Sequence, residues 1–367
     1  MKKVIKNRYE IIKKIGSGSM SEVFLAKSIS TGEPFTLKKF RLTNIENRDE
    51  ALMRFNREVH IISGLSHPHI IQLMDFLREG EDYYLVTEYF EGKNLREQPD
   101  IFSLNEKIAL IKKCSDAMAY IHNKGIIHRD LKPDNILVGS KDKNELKIID
   151  FGLAYLANLN DVFKKDAIVG SFSYISPEQT GFLKRDIDKR SDLYSLGATF
   201  YEFLTGRPPF HSDDIGKLIY RHIAKRPIRP SAYNEEIPPV IDEIVLKLLK
   251  KEPEERYQSC EGLSADLEKY LESPHLQQFE IAQSDVITRL NSNIKIVGRD
   301  DVINKLKDIH ADVSLGMPKT ALLFSKAGYG KSKLAESYKQ EIITENTQAL
   351  HYKCTAATNN IPYAPFI

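Results

Sequence analysis

Residues 128–135 have the sequence HRDLKPDN, and residues 150–152 have the sequence DFG. Upstream of both, residues 16–23 (GSGSMSEV) form a glycine-containing turn between two predicted strands, and the triplet TLK follows at residues 36–38. Glycines in such a turn let the backbone approach phosphate groups closely. The turn alone equally fits a plain hairpin, so the interpretation depends on the whole ordered set of motifs.

Further motifs follow these in a fixed order. They are SPE at residues 176–178, SDLYSLG at 191–197, GRPPF at 206–210 and a single arginine, Arg256. The whole set covers roughly residues 9–271 and resembles the signature of eukaryotic-type (Hanks-type) serine/threonine protein kinases. The resemblance implies an α+β, bilobal protein kinase fold over residues 1–272, with a β-rich N-lobe at about 1–90 and an α-rich C-lobe at about 91–272.

Hydrophobic patterning agrees with this two-lobed plan. Strand candidates come first and helix patterns dominate after Gly92. The predicted strands include residues 9–12, 35–40 and 83–87, an early helix covers 46–63, and the later helices cover 104–122, 191–205, 214–224 and 238–250.

The resemblance also implies a set of residues that bind ATP. Lys38 would hold the α- and β-phosphates, Glu58 would hold Lys38, and Glu88 follows Thr87, which stands at the gatekeeper position. The loop that covers the nucleotide would comprise Ile15, Gly16, Ser17, Gly18, Ser19, Met20, Ser21, Glu22 and Val23. The family's third loop glycine is replaced here by Ser21, while the first two glycines remain.

The catalytic residues that the resemblance implies lie in the HRDLKPDN motif at residues 128–135 and the DFG motif at residues 150–152. Asp130 would accept or align the proton of the substrate hydroxyl, and Lys132 would reach the γ-phosphate as a point charge. Asn135 and Asp150 would hold Mg²⁺, because amide and carboxylate oxygens suit a hard cation that keeps several waters. A lysine at position 132 is typical of the serine/threonine branch of the family. ATP and Mg²⁺ are therefore the expected cofactors.

Other matched positions are expected to have structural or regulatory roles. Glu178 should pair with Arg256, and Asp192 should support the backbone of the catalytic loop. Residues 153–170 contain no serine or threonine, so Asp161 or Asp166 could partly replace an activating phosphate near Arg129, or both could be ordinary solvated side chains.

Composition excludes several other classes of protein. The formal net charge is +2, with no basic excess on either part of the chain, so we expect no nucleic-acid partner. The three cysteines are far apart and form no C-x-x-C pair, which fits a reducing compartment. No apolar run approaches the about 18 residues of a membrane span, and the N-terminus lacks the apolar core of a signal peptide. We therefore expect a cytoplasmic protein.

A second motif follows a polar stretch, residues 273–295, that is typical of a linker. Residues 325–332 (SKAGYGKS) nearly match the P-loop pattern, after a predicted buried strand at 321–324. With residues 296–300 (IVGRD), they resemble the start of AAA-like ATPases that follow the kinase domain in large bacterial multidomain kinases. Only part of such a fold is present in residues 296–367, which could be an inert remnant or a site completed in trans by a dimer or by downstream signalling domains.

We therefore expect an active serine/threonine protein kinase whose protein substrate is unknown. Two alternatives stay open. The chain could be a pseudokinase scaffold that binds partners without phosphorylating them, although every catalytic residue type is present. It could also be a P-loop switch in which the kinase is secondary, although no acidic residue follows the P-loop on a second apolar strand.

Overall fold

The structure is a computed structural model that describes residues 3–17, 21–41, 59, 62–97, 101–150, 172–183, 185–274, 277–285, 300–314, 316–324, 334 and 338. The chain divides into two compact units, Met1–Ile287 and Thr288–Ile367. Among the helices of these described ranges, none has both the length and the apolar character needed to cross a bilayer.

A six-stranded antiparallel sheet forms the N-terminal part of the first unit. Its strands are β1 (Val4–Ile5), β2 (Tyr9–Ser17), β3 (Ser21–Ser28), β4 (Pro34–Arg41), β5 (Leu73–Glu79) and β6 (Asp82–Glu88), in the spatial order β1-β2-β3-β4-β6-β5. Apolar side chains of β4 and β6 form part of its core, where Leu37 and Val86 are fully buried. This is the β-rich lobe that the sequence predicts.

The register of three neighbouring strands places the glycine turn beside Lys38. Gly16 on β2 pairs with Val23 on β3, and Val23 pairs with Lys38 on β4. Successive side chains of a strand point to opposite faces of the sheet. Lys38 and Lys39 therefore lie on opposite faces, and Lys39 forms its own ion pair with Asp82 at 2.8 Å.

Helices dominate the second lobe of this unit. They are α1 (Leu104–Asn123), α2 (Lys189–Thr205), α3 (Ile215–Ala224), α4 (Pro239–Leu248) and α5 (Cys260–Glu272). α1 begins at a capping box, in which Ser103 and Glu106 satisfy each other's backbone amides. A small sheet, β7 (Gly92–Asn94), β8 (Ile136–Gly139) and β9 (Leu146–Ile148), supports the catalytic loop on this lobe.

Most of the predicted elements match the observed ones to within three residues. The four helices predicted over residues 104–250 correspond to α1 to α4, whereas α5 is a helix that the sequence patterning did not identify. The early helix predicted over 46–63 lies largely outside the described residues; Val59, Ile62 and Ser63 are helical.

Residues 277–285 pack against the helical lobe. Phe279, Ile281 and Ala282 contact its core, and Asp285 accepts hydrogen bonds from the backbone amides of Gln258 at 2.7 Å and Ser259 at 3.0 Å. The first compact unit accordingly runs to Ile287.

The described part of the second unit contains one long helix, α6 (Asp300–Ser314). The buried strand predicted over residues 321–324 is wrong, because these residues form no strand and Leu322 and Phe324 are 73% and 87% exposed. A strand of this type is buried only when neighbouring strands flank it, and the described residues of this unit supply none. The P-loop motif at residues 325–332 lies outside the described residues.

Candidate active site

The carboxylate of Asp130 is held by a lysine two residues further along the chain. The Nζ of Lys132 donates to Oδ1 of Asp130 at 3.0 Å and to Oδ2 at 2.8 Å. Both side chains are largely buried, with 29% of Asp130 and 17% of Lys132 exposed. The pair places a proton acceptor and a fixed cation side by side at the surface of the helical lobe.

Asn135 bonds the same carboxylate with its side-chain amide. Its Nδ2 donates to the backbone oxygen of Asp130 at 2.7 Å and to Oδ2 at 3.1 Å. A short 3₁₀ turn, Pro133–Asn135, brings the amide back to Asp130, and the side chain of Asn135 is buried. Because the amide nitrogen makes both bonds, the amide oxygen is the atom that would ligate a metal.

Lys38 reaches across from the sheet to the helical lobe. Its Nζ lies 2.7 Å from Oδ1 of Asp150, and each side chain is partly exposed. Asp150 has a φ of 60°, in the left-handed region that costs about 1 kcal/mol or more for a residue with a side chain. Glu58, the partner of Lys38 implied by the family pattern, lies outside the described residues.

The glycine turn is partly described. β2 continues through Ile15, Gly16 and Ser17, β3 begins with Ser21, Glu22 and Val23, and Ser17 pairs with Glu22 across the turn. Gly18, Ser19 and Met20 lie outside the described residues. Among the described residues, a Cβ added at Gly16 would meet only Val23, at an ordinary 3.6 Å. A glycine there would also let a phosphate approach the backbone closely.

The side chain of Glu88, at the end of β6, is committed to contacts within the protein. Its Oε1 accepts hydrogen bonds from the Nζ of Lys147 at 2.7 Å and from the backbone amide of Gln72 at 2.9 Å. If this residue contacts an adenine, its main-chain atoms would therefore make the contact.

Asp192, a buried carboxylate of α2, holds the backbone before Asp130. Its Oδ2 accepts from the amide of His128 at 2.8 Å, and its Oδ1 accepts from the amide of Arg129 at 2.7 Å. His122 also hydrogen-bonds Oδ2, at 2.8 Å. Burial acts to raise the pKa of Asp192, but these hydrogen bonds outweigh it and hold the pKa below its usual value. The expected support of the catalytic loop is confirmed.

The expected pair of Glu178 and Arg256 is also confirmed. Two parallel hydrogen bonds of 2.7 and 2.8 Å join the guanidinium to the carboxylate, and at most 1% of either side chain is exposed. Ser191 donates a further bond of 2.7 Å to Glu178. Burial acts to raise the pKa of Glu178, and the bonds from Arg256 more than offset it, so the carboxylate stays ionised.

Sequence patterning missed one charged residue beside this site. Arg96 contacts Asp134, which lies within the catalytic loop, and Glu202 on α2. The two partners are 38 and 106 residues away in sequence, so no spacing rule connects them.

The described side chains combine a proton acceptor, two cations and two oxygen donors for a hard metal ion. Such a set of side chains suits electrostatic stabilisation and positioning more than covalent catalysis. It can neutralise the charge of a phosphate group and align a hydroxyl with that group. The arrangement is that of a nucleotide-dependent phosphotransferase, with one lobe carrying Lys38 and the other carrying Asp130 and Asp150.

Comparison with known proteins agrees with this class. The family model of the protein kinase domain matches residues 9–267, so the chain belongs to the protein kinase family. The serine/threonine-protein kinase PrkC of Bacillus subtilis is 32% identical over 299 residues, which is 80% of this chain and 45% of PrkC. PknB of Mycobacterium tuberculosis is 36% identical over 272 residues, which is 72% of this chain and 43% of PknB. The chain thus spans less than half the length of these relatives.

Solved structures show the same fold. The PknI kinase domain of Mycobacterium tuberculosis matches with a TM-score of 0.57 at 23% identity, over 72% of this chain and 97% of that domain. Rad53, solved in complex with AMP-PNP, matches with a TM-score of 0.55 at 26% identity, over 70% of this chain and 64% of that one. The predicted bilobal kinase fold is confirmed.

Proposed function

We propose that this chain is an active protein kinase that transfers the γ-phosphoryl group of Mg–ATP to a serine or threonine hydroxyl of another protein, in bacterial signalling. The observation that carries the proposal is the contact set around Asp130, whose carboxylate is bonded by both Lys132 and Asn135. A scaffold that only binds partners has no need to fix a proton acceptor beside a cation in this way.

In this proposal Asp130 receives or orients the hydroxyl proton, and Lys132 neutralises charge that develops on the transferred phosphoryl group. Lys38 binds the α- and β-phosphates, and Glu58 orients Lys38 when nucleotide occupies the site. The backbone of the loop from Ile15 to Val23 covers the phosphates, and the main chain at Glu88 contacts the adenine.

The donor set beside Asp130 fits a divalent metal. A carboxylate at Asp150 and an amide oxygen at Asn135 are hard ligands, and two protein ligands suit Mg²⁺, which usually keeps several waters. The ion would neutralise phosphate charge. Support for a nucleotide comes from the Rad53 structure, which contains an ATP analogue, and support for serine or threonine as acceptor comes from the names of the bacterial relatives.

The division of the chain is likewise a proposal. We propose that residues 1–272 hold the complete chemistry and that 273–295 lead to the tail, with 277–285 packed against the helical lobe on the way. We propose that residues 296–367 are a partial AAA-like P-loop segment, either an inert remnant or a site completed in trans by a dimer or by downstream signalling domains. We also propose a cytoplasmic location, because the three cysteines are widely spaced and form no C-x-x-C pair.

Incubation of the purified protein with γ-³²P-ATP, MgCl₂ and a generic protein substrate tests the function. We expect phosphoserine or phosphothreonine in the substrate, and loss of the signal on chelation of the metal. Nucleotide binding without transfer to any substrate, and without autophosphorylation, would instead support the pseudokinase scaffold. Phosphotyrosine as the main product would contradict the assignment of the acceptor.

A further inference from the structure

Arg96 joins three segments of the chain beside the catalytic loop. It lies in a short 3₁₀ turn, Leu95–Glu97, directly after β7. Its Nε and Nη2 bond the carboxylate of Asp134 at 3.1 and 2.9 Å, and its Nη1 bonds Oε1 of Glu202 at 2.8 Å. Nη2 also donates to the hydroxyl of Tyr174, and this hydroxyl donates to Oε2 of Glu202.

This cluster lies next to the residue that we propose receives the substrate proton. Asp134 belongs to the same short turn as Asn135, whose amide bonds the carboxylate of Asp130. A peptide whose hydroxyl reaches Asp130 advances about 3.3 Å per residue when extended. Residues within about three positions of the acceptor can therefore pass over this charged cluster.

The formal charge of the cluster would fall from −1 to −2 if Arg96 were absent. Arg96 carries one positive charge and its two partners carry two negative charges, which leaves a formal charge of −1. All four oxygens of the two carboxylates already accept a hydrogen bond from Arg96 or Tyr174. A basic side chain from a substrate would have to compete with an arginine held in place by the fold.

The charged states of the cluster are stable. The hydrogen bond to Asp134 raises the pKa of Arg96, and burial opposes this only in part. Burial acts to raise the pKa of Asp134, but the hydrogen bond from Arg96 outweighs it and lowers the pKa. Arg96 and Asp134 remain open to solvent, with 42% and 43% of their side chains exposed, so a bound peptide could reach them.

We propose that Arg96 is a specificity-determining residue of the kinase reaction, an inference that rests on the proposed function. It occupies an acidic subsite formed by Asp134 and Glu202. A basic residue near the phosphoacceptor therefore does not raise kcat/KM for a peptide substrate of this enzyme. Removal of the arginine creates a preference for such substrates. A merely structural arginine would, when removed, change the rate for all peptides by the same factor.

A peptide series measures this directly. Each peptide of the series contains one serine and one arginine, and the arginine stands at one of the three positions on either side of the serine. The kcat/KM of each peptide is compared with that of the peptide that has alanine at the same position. For the wild-type protein we expect arginine-to-alanine ratios near one. For Arg96→Gln we expect one or more positions to gain at least about tenfold, the scale of a hydrogen bond between charged groups.

Two further variants provide the controls. Arg96→Gln/Glu202→Gln restores the wild-type formal charge of the cluster, so the gain should disappear. Arg226→Gln makes the same charge change at an exposed position of the same lobe and should leave the ratios at their wild-type values. A gain in Arg226→Gln, or ratios in Arg96→Gln that parallel the wild type, would overturn the proposal.

The proposal remains testable if Arg96→Gln fails to fold. Glu202→Gln leaves Arg96 with a single carboxylate, and peptides that carry glutamate near the acceptor should then gain about threefold or more over the wild type. An unchanged glutamate profile would overturn the assignment. If the wild-type protein phosphorylates no peptide and does not phosphorylate itself, the proposed function has failed, whereas an active enzyme with unchanged profiles rejects the role of Arg96 alone.

Discussion

Lys38 and Asp150 form an ion pair of 2.7 Å that joins strand β4 to the start of the DFG motif. In this state the cation proposed to bind phosphate and the carboxylate proposed to bind metal neutralise each other. Their mutual contact keeps two charges satisfied at a partly exposed position, and in the proposed function a nucleotide and its metal would supply other partners.

Replacement of Lys38 by methionine should lower the phosphorylation rate by at least about a hundredfold, because it removes an electrostatic contact to the phosphates. Lys39→Met is the matched control on the next residue of the same strand. It should leave the rate nearly unchanged but lower the midpoint of thermal unfolding, because Lys39 and Asp82 form a largely buried pair. Equal rate losses in the two variants would contradict the proposed role of Lys38.

Replacement of Asp130 by asparagine should lower kcat by about 10²–10⁴-fold, the usual contribution of a general base. Asparagine can still accept a hydrogen bond from Lys132, so the loop should keep its shape. The affinity for a fluorescent ATP analogue should therefore be nearly unchanged. Asp142→Asn, the same exchange at an exposed loop position, serves as the control. Retention of more than a tenth of the wild-type rate by Asp130→Asn would show that the role is misassigned.

Replacement of Arg256 by alanine should destabilise the helical lobe by about 3–5 kcal/mol, because it leaves the buried carboxylate of Glu178 without its partner. Arg185→Ala breaks an exposed pair with Glu252 in the same lobe and should hardly move the urea midpoint. Arg256→Lys keeps the charge but loses the two parallel bonds, so its midpoint should lie between those of the wild type and Arg256→Ala. Similar midpoints for Arg256→Ala and Arg185→Ala would contradict the structure.

A chain that ends at Ile287 should be more stable than one that ends at Ser273. Asp285 accepts the backbone amides of Gln258 and Ser259 just before α5, and a Cβ at Gly262 would collide with it. Asp285→Ala should cost about 1.5–3 kcal/mol, the usual net contribution of a hydrogen bond to a charged group. Equal thermal midpoints for the two shortened chains would show that residues 274–287 contribute nothing to the lobe.

Lys251 should make stability depend on pH. Its Nζ lies 4.4 Å from the ring centre of Phe210, and burial lowers its pKa to about 7 from 10.5. Between these values the unfolded chain binds a proton that the folded chain does not. The free energy of unfolding should therefore rise with pH from about 7 towards 10, by at most about 1.4 kcal/mol per unit. Urea unfolding at several pH values should show this rise in the wild type and a flatter profile in Lys251→Met. Parallel profiles would mean that Lys251 keeps its ordinary pKa.

The sequence predicts an element of the fold correctly where the spacing of apolar residues is regular and the element ends at residues that favour a helix end. The helix predicted over residues 104–122 is observed from Leu104 to Asn123, and in the structure the capping box of Ser103 and Glu106 lies at the predicted start. α5 was missed because several of its buried positions are small or polar, including Gly262, Ser264 and Asp266. The apolar run at residues 321–324 predicts a buried strand, but burial depends on neighbouring strands that a local pattern does not report.

Motifs identify site residues only where a family pattern fixes their positions. Asp130, Lys132 and Asn135 lie within six consecutive residues, and the structure brings their side chains into contact. Arg96 could not be found in this way, since its partners come from distant segments and are joined only by the tertiary fold. The contact between Lys38 and Asp150 was likewise not expected, because the family pattern directs Lys38 towards Glu58.

Asp192 reaches the catalytic loop from the most buried helix of the lobe, and it ties two consecutive amides of that loop, at His128 and Arg129, to the core. Arg129 adopts a left-handed φ of 68°, which a loose loop would relax. Hydrogen exchange at these two amides should consequently be as slow as in α2 and proceed through cooperative opening of the lobe. On heating, loss of catalysis and loss of the folded lobe would then be a single event, and no folded but inactive state would accumulate ahead of it.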